Sequence, residues 1–314
     1  MAGPNRDGAW GKIAVRLVRR PAVTLGVGLV ILLGLASFAL GYHAGGFGGN
    51  NNAPAGSSAA AGDAIVASHF PHLSSNPANL VFKYSQPVWG DATTVAKAQT
   101  SLQASGQLSH LTGPLNGNGT SLTPTQYSSL HGVLGSPAEL PSLQPSGSTV
   151  PAAEYDAFRA SAQFVSADGR TIQFEAAFTA GDQQSTAALQ AVPAVRGAVT
   201  RAAQASGAID SGVAGQAAAL YDVSTASNHD LVVVFPLAIL AIGLLLALVL
   251  RSLIAPLYLI VSVALSYLAA LGVATLLFID IGGDGGITFI LPFLMFIFLL
   301  ALGEDYNILV MTRI

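Results

Sequence analysis

The chain has 314 residues, of which 52% are hydrophobic and only 9% charged, with a positive mean hydropathy; this excludes an ordinary soluble protein. The formal net charge is -3 and no basic run alternates with aromatic residues, which excludes a nucleic-acid surface. There is no Cys, so disulfides, thiolate metal sites and cysteine nucleophiles are excluded as well.

A helix needs roughly 20 apolar residues to cross a hydrocarbon core about 30 Å thick. The stretches 22–42, 231–250, 255–278 and 287–312 meet that length, so four transmembrane helices are expected. The first three contain no Asp, Glu, Lys or Arg, and the fourth contains none before Glu304 and Asp305.

Residues 1–21 carry Arg6, Lys12, Arg16, Arg19 and Arg20, a cluster that the positive-inside rule places in the cytoplasm. The first span then leads outward, the turn at Arg251-Ser252 returns inside, and Arg313 also falls inside. Lys83, Lys97, Arg159, Arg170, Arg196 and Arg201 lie in the long external segment, where the rule exerts little force. A cleaved signal peptide is the competing reading of the N-terminus. Its apolar region would usually run about 7–15 residues, so the longer run here favours an uncleaved anchor.

Residues 43–62 are rich in Gly, Asn, Ser and Ala and are expected to be a linker. An extracytoplasmic domain is expected over 63–230. Within it, 79–85 (NLVFKYS) has the composition of a strand, and 92–105 carries Ala, Leu and Val at helical spacing. The segments 164–166 and 171–178 flank Ala167-Asp168-Gly169-Arg170, and Asp-Gly between alternating apolar runs signals a hairpin. A helix over 182–205 and a closing strand over 209–213 complete the pattern, with the second strand at either 107–113 or 161–167. The order strand, helix, strand, strand, helix, strand predicts a ferredoxin-like α+β domain.

From Pro114 to Pro151 the chain also carries Pro124, Pro137, Pro141 and Pro145 among many Gly and Ser, which predicts a poorly ordered insertion near 115–151. A short helix near 124–134 is expected inside it. The insertion reads equally as a contact surface or a mobile loop.

Several features have plain explanations. His43, His69, His72, His110, His131 and His229 are scattered, and Pro71 separates the two closest, so no metal is expected. Asn118-Gly119-Thr120 is a chance sequon in a Gly-Asn run. The Asp280–Gly286 loop lacks the Lys and Ser/Thr of a phosphate loop and reads as a solvated turn. No Ser-His-Asp order has supporting context, so no hydrolase is expected.

The end of the chain, LALGEDYNILVMTRI, carries the chemistry. Insertion scales put a central Asp at roughly 2.5–3.5 kcal/mol, so acids inside a membrane helix face a bundle interior and mark proton or ion routes. Removal from water favours the uncharged acid, which lets a carboxyl held there take up and release protons. Consecutive helical residues point about 100° apart, so Glu304, Asp305 and Tyr306 serve different neighbours. Gly303 admits close approach of another helix, and Ser262, Ser266 and Tyr267 in the third span are candidate polar partners. Capping of the inner helix end with Arg313 is the plainer alternative. Arg313 lies more than two turns from Asp305, which argues against it.

The run GEDYNILVMTRI resembles the motif G-x-D-Y-x-x-x-x-x-x-R of MMPL-type transporters in the RND superfamily, and LRSLIAP at 250–256 is similar to their cytoplasmic turn. The likeness extends to an N-terminal helix, a Gly-rich exit, a helix ending at His69-Phe70-Pro71 and an external porter domain. It implies proton-driven export of lipid or other hydrophobic compounds across the cytoplasmic membrane, without cofactor or enzyme activity. Asp305 and Tyr306 match the family's relay positions, and Glu304 falls at a variable one.

A family half usually has six helices, and two halves place their relay residues face to face. The chain therefore reads as one half, truncated within its fourth helix. Its implied partners are the lipid bilayer, a hydrophobic substrate, and a second half or downstream region. The form GEDYN is closer to second halves, whereas Met1 and the Gly-rich exit suit a first half. The alternative is a membrane-tethered binding or assembly protein on an RND-like scaffold. Such a scaffold has no need of Asp305.

The charge pattern predicts that a Ser252→Cys variant, in a chain with no native Cys, reacts with thiol reagents only once they enter the cell. Labelling by an impermeant reagent in intact cells would overturn this topology.

Overall fold

The computed structural model describes residues 19–46, 56–69 and 76–299. Their elements in chain order are helix α1 (Pro21–Ser37), continued by a 3-10 turn over Phe38–Gly41, α2 (Ser58–His69), strand β1 (Ala78–Lys83), α3 (Thr93–Ala104), β2 (Leu108–Thr112), α4 (Pro124–Leu134) and α5 (Ala152–Ala160). Then follow β3 (Thr171–Phe178), α6 (Thr186–Ser206), β4 (Asp210–Ala214), α7 (Gln216–Leu250), α8 (Ile254–Thr275) and α9 (Ile290–Leu299). The chain divides into two compact units, one over Gly45–Thr225 and one formed by the residues on either side of it.

The first unit is built on a four-stranded antiparallel sheet in the order β2-β3-β1-β4. Alternation along β1 and β3 turns Ala78, Leu80 and Phe82, with Ile172, Phe174, Ala176 and Phe178, to one buried face. Leu80 stands opposite both Phe174 and Val213, so three strands contribute to one layer. Val95, Ala98 and Leu102 of α3 and Val192, Val195, Val199 and Ala202 of α6 belong to the same core. Helix α6 starts at Ser185, whose hydroxyl accepts from the Ala188 amide at 3.1 Å, and stops at Gly207 in the left-handed region at φ 75°.

The structure decides between the two positions open for the second strand. It is Leu108–Thr112, while Ser161–Phe164 is a 3-10 turn followed by a lone bridge from Val165 to Ile172. The reason is competition for one edge of β3. Strand β2 takes the stretch from Glu175 to Phe178, which leaves a single pairing for the segment before the turn. The Asp-Gly turn itself forms. The Asp168 carboxylate accepts from the Ser166 hydroxyl at 2.6 Å and the Arg170 amide at 3.1 Å, which holds its carboxyl below the usual range. Gly169 has φ 67°, and any side chain there would strike the Trp89 indole.

Within the expected insertion the short helix expected near 124–134 forms as α4 and its apolar residues join the core, while most of 141–149 is exposed. A capping box starts α4: Gln126 donates its amide to the Thr123 hydroxyl at 3.2 Å, and its side chain accepts from the Thr123 amide at 2.9 Å. Leu115, Leu122, Tyr127 and Leu130 are buried in the main cluster. The Gly, Pro and Ser residues that suggested disorder make caps and turns between these apolar anchors. Helix α5, which the sequence reading did not anticipate, buries Tyr155 and Phe158, and the Tyr155 hydroxyl donates to the Pro141 carbonyl at 2.8 Å. Helix α2 likewise begins inside the expected linker.

A buried carboxamide holds the start of α7. Gln183, 2% exposed, donates to the Asn76 carbonyl at 2.6 Å and accepts from the Ala217 amide at 3.1 Å, satisfying a free donor of the first turn. Asn76 in turn donates to Gln216 at 2.7 Å. Further along, Arg196 of α6 makes a bidentate pair with Asp222, both bonds 2.8 Å, and keeps that carboxyl below its ordinary range. The pair is largely exposed, so it contributes only ~0.2–1 kcal/mol.

Three helices among the described residues are long and apolar enough to cross a membrane: Pro21–Gly41, Gln216–Val249, which enters the second unit at Ala226, and Ile254–Ile281. Arg251, at φ 48°, and Ser252 make the tight turn into α8, and Pro256 sits in its first turn, where no amide donor is required. Gly272 of α8 lies against the Leu35 carbonyl of α1, and Gly41 meets Thr275, so small residues set this helix contact.

Gln183→Ala leaves the Asn76 carbonyl and the Ala217 amide without their partner and is expected to destabilise the sheet unit by about 1–3 kcal/mol in urea denaturation followed by tryptophan fluorescence. Asp222→Asn is expected to cost no more than about 1 kcal/mol. Equal effects of the two substitutions would contradict this ranking.

Candidate functional site

Glu304, Asp305, Tyr306 and Gly303, the residues on which the chemical argument rests, lie outside the described residues. The described part of the candidate site is the helix cluster leading up to them, formed by α7, α8 and α9.

Each helix presents apolar residues to this cluster because its whole circumference is apolar, as a membrane span requires. Phe235 of α7 stacks on Phe296 of α9, and the Tyr267 ring of α8 meets both edge-on, with centroids 6.2 Å and 6.1 Å away. The Tyr267 hydroxyl donates to the Pro292 carbonyl of α9 at 3.3 Å. These rings lie beside a cavity of about 180 Å³ bounded by residues of all three helices. Pro292 is in the first turn of α9, so its own missing amide leaves little unsatisfied.

The three candidate polar partners do not share one environment. Tyr267 is half-buried and lines the cavity, Ser266 is half-buried, and Ser262 is exposed. Ser262 and Tyr267 are five positions apart, which places them on different sides of α8. The aromatic grouping of Phe235, Phe293 and Phe296 was not singled out from sequence. Each stands in a run of apolar residues, and nothing local distinguishes it.

His131 and His69 make local contacts in the sheet unit. His131 stacks on Trp89, with centroids 4.5 Å apart and planes 11° from parallel, and burial pushes its pKa down. His69 closes α2, with Nδ1 2.8 Å from the Ser68 hydroxyl, and His72 lies outside the described residues.

Three membrane-length helices and a separate α+β unit inserted between the first and second define a multi-pass membrane protein. The sequence pattern of the MMPL family matches residues 53–314, and the chain belongs to that family.

Among its relatives, it is 41% identical over 142 residues to the putative membrane protein ActII-3 of Streptomyces coelicolor, covering 45% of this chain and 19% of that protein. It is 35% identical over 151 residues to the apo-petrobactin exporter of Bacillus anthracis, covering 47% and 20%. It is 36% identical over 160 residues to the sulfolipid-1 exporter MmpL8 of Mycobacterium tuberculosis, covering 50% and 14%. The aligned part thus spans no more than a fifth of these relatives' length.

Proposed function

We propose that this chain forms part of a proton-driven exporter of lipid or other hydrophobic compounds in the cell membrane, with its N-terminus and Arg251 in the cytoplasm and the sheet unit outside. The observation that carries the reading is the Glu304-Asp305 pair, set at the end of a stretch, 285–303, that has no other charge. A carboxylate there is tolerated only where it meets a protein interior or a water-filled path. Family membership supports the same reading, as do two relatives named as exporters. The strand order β2-β3-β1-β4 supports a ferredoxin-like porter domain. The fourth span is read as starting with α9 and running through the acid pair.

In this proposal Asp305 carries the proton, Tyr306 orients it and Glu304 is secondary. Protons moving down a membrane potential release about 2.3 kcal/mol per charge per 100 mV, and a titratable group away from water is needed to capture that energy. Consecutive helical residues point about 100° apart, so this reading gives Asp305 and Tyr306 different neighbours. Phe296 and Leu299 both line the α7–α8 cavity. Of the candidate polar partners Tyr267 lines the same cavity, Ser266 is half-buried and Ser262 is exposed on another side of α8, and this reading pairs Asp305 with a second half. Protonating Asp305 removes a buried charge and opens a different packing to its helix; deprotonation toward the cytoplasm resets it.

In the full-length protein, Asp305→Asn is expected to preserve expression and folding and to abolish export, with Glu304→Gln impairing it less. Undiminished proton-dependent export by Asp305→Asn would defeat the mechanism.

A further inference from the structure

We infer that the cavity between α7, α8 and α9 is a binding site for one acyl chain of a bilayer lipid. The inference requires only that the helices sit in a membrane and holds whether or not the protein transports anything, so the failure of one proposal leaves the other standing.

The cavity, about 180 Å³, is walled chiefly by Phe235, Ile239, Ile260, Val263 and Phe296. Among the described lining residues Tyr267 brings the one hydroxyl, and that hydroxyl is already donated to the Pro292 carbonyl. A buried water needs two to four polar partners, whereas apolar cavities of about 150 Å³ stay dry and take up small apolar molecules. Water is therefore a poor occupant. The α8 residues of the wall fall near the middle of Ile254–Thr275, so the medium at their depth is hydrocarbon.

The walls also distinguish a lipid chain from another helix. Helices approach one another in membranes through small residues, and α8 has such a surface elsewhere, where Gly272 admits the Leu35 carbonyl and Thr275 meets Gly41. Among the described residues around the cavity Ala264 is the one small residue, and the rest are branched or aromatic. Bulky walls around a narrow hollow keep a helix backbone out and fit a thin, flexible chain that can follow an irregular path. Among the described lining residues there is no charged group to meet a headgroup, so the site selects for the alkyl chain alone.

The test uses the full-length protein in nanodiscs of phosphatidylcholine bearing a diazirine midway along one acyl chain, with adducts mapped by mass spectrometry. Adducts are expected to concentrate on Ile260 and Val263 relative to the outward-facing Leu244 and Leu257. Ala264→Phe and, independently, Ile239→Trp fill the hollow and are expected to lose those adducts while labelling of Leu244 and Leu257 continues. Ile260→Ala enlarges it and is expected to retain labelling at Val263, which separates loss of the site from loss of the fold. Even labelling of cavity and outer residues would overturn the proposal. So would adducts that persist in folded Ala264→Phe and Ile239→Trp proteins, or cavity residues that are shielded in the unmodified protein because another helix covers them.

Discussion

A charge that loses its water without gaining a partner is the dominant penalty facing this sequence, and the distribution of its 29 charged residues, 13 basic and 16 acidic, follows from avoiding it. Between 21 and 42, 231 and 250, and 254 and 279 there is none. Charges gather at the N-terminus, at Arg251 and in the sheet unit, where Arg196 and Asp222 pair at the surface and Asp168 is held by hydrogen bonds in a turn. Against that background Glu304 and Asp305 are exceptions, and an exception to an expensive rule needs a return. In the proposed mechanism that return is proton capture.

The same accounting of polar groups explains how the sheet unit holds its part of α7. That helix starts with free amides, and Gln183 reaches one of them from a buried position while also binding the backbone at Asn76. A single carboxamide thereby ties the approach to β1 to the exit from β4. The 35-residue α7 contributes to both units, its residues up to Thr225 with the sheet and those from Ala226 with the apolar helices. In the apolar unit, backbone bonds close within each helix and small residues such as Gly272 decide which helices touch.

Much of this was legible in the residues because it depends on local pattern. Apolar runs marked the spans, alternation marked β1 and β3, and the spacing of Ala and Leu marked α3. What was not legible depended on competition between distant segments. The stretch 161–167 has the composition of a strand, but β2 occupies most of the edge it would need. In the Pro-rich stretch after 114 the segment 124–134 read as a short helix, whereas the burial of Leu115, Leu122, Tyr127 and Leu130 in the core was hidden among the turn formers around them. At the candidate site, the acids announce themselves by their cost, whereas the distinct positions of Ser262 and Tyr267 required the helix packing. The cavity beside Ala264 is a gap between three helices, and no single segment encodes it.

The central claim is that Asp305 couples proton movement to export, and proton flux in proteoliposomes of the full-length protein, read with an internal pH-sensitive dye under an imposed proton gradient, addresses it most directly. The account predicts substrate-dependent proton entry in the unmodified protein and none in Asp305→Asn. Equal, substrate-dependent proton entry in both would contradict it.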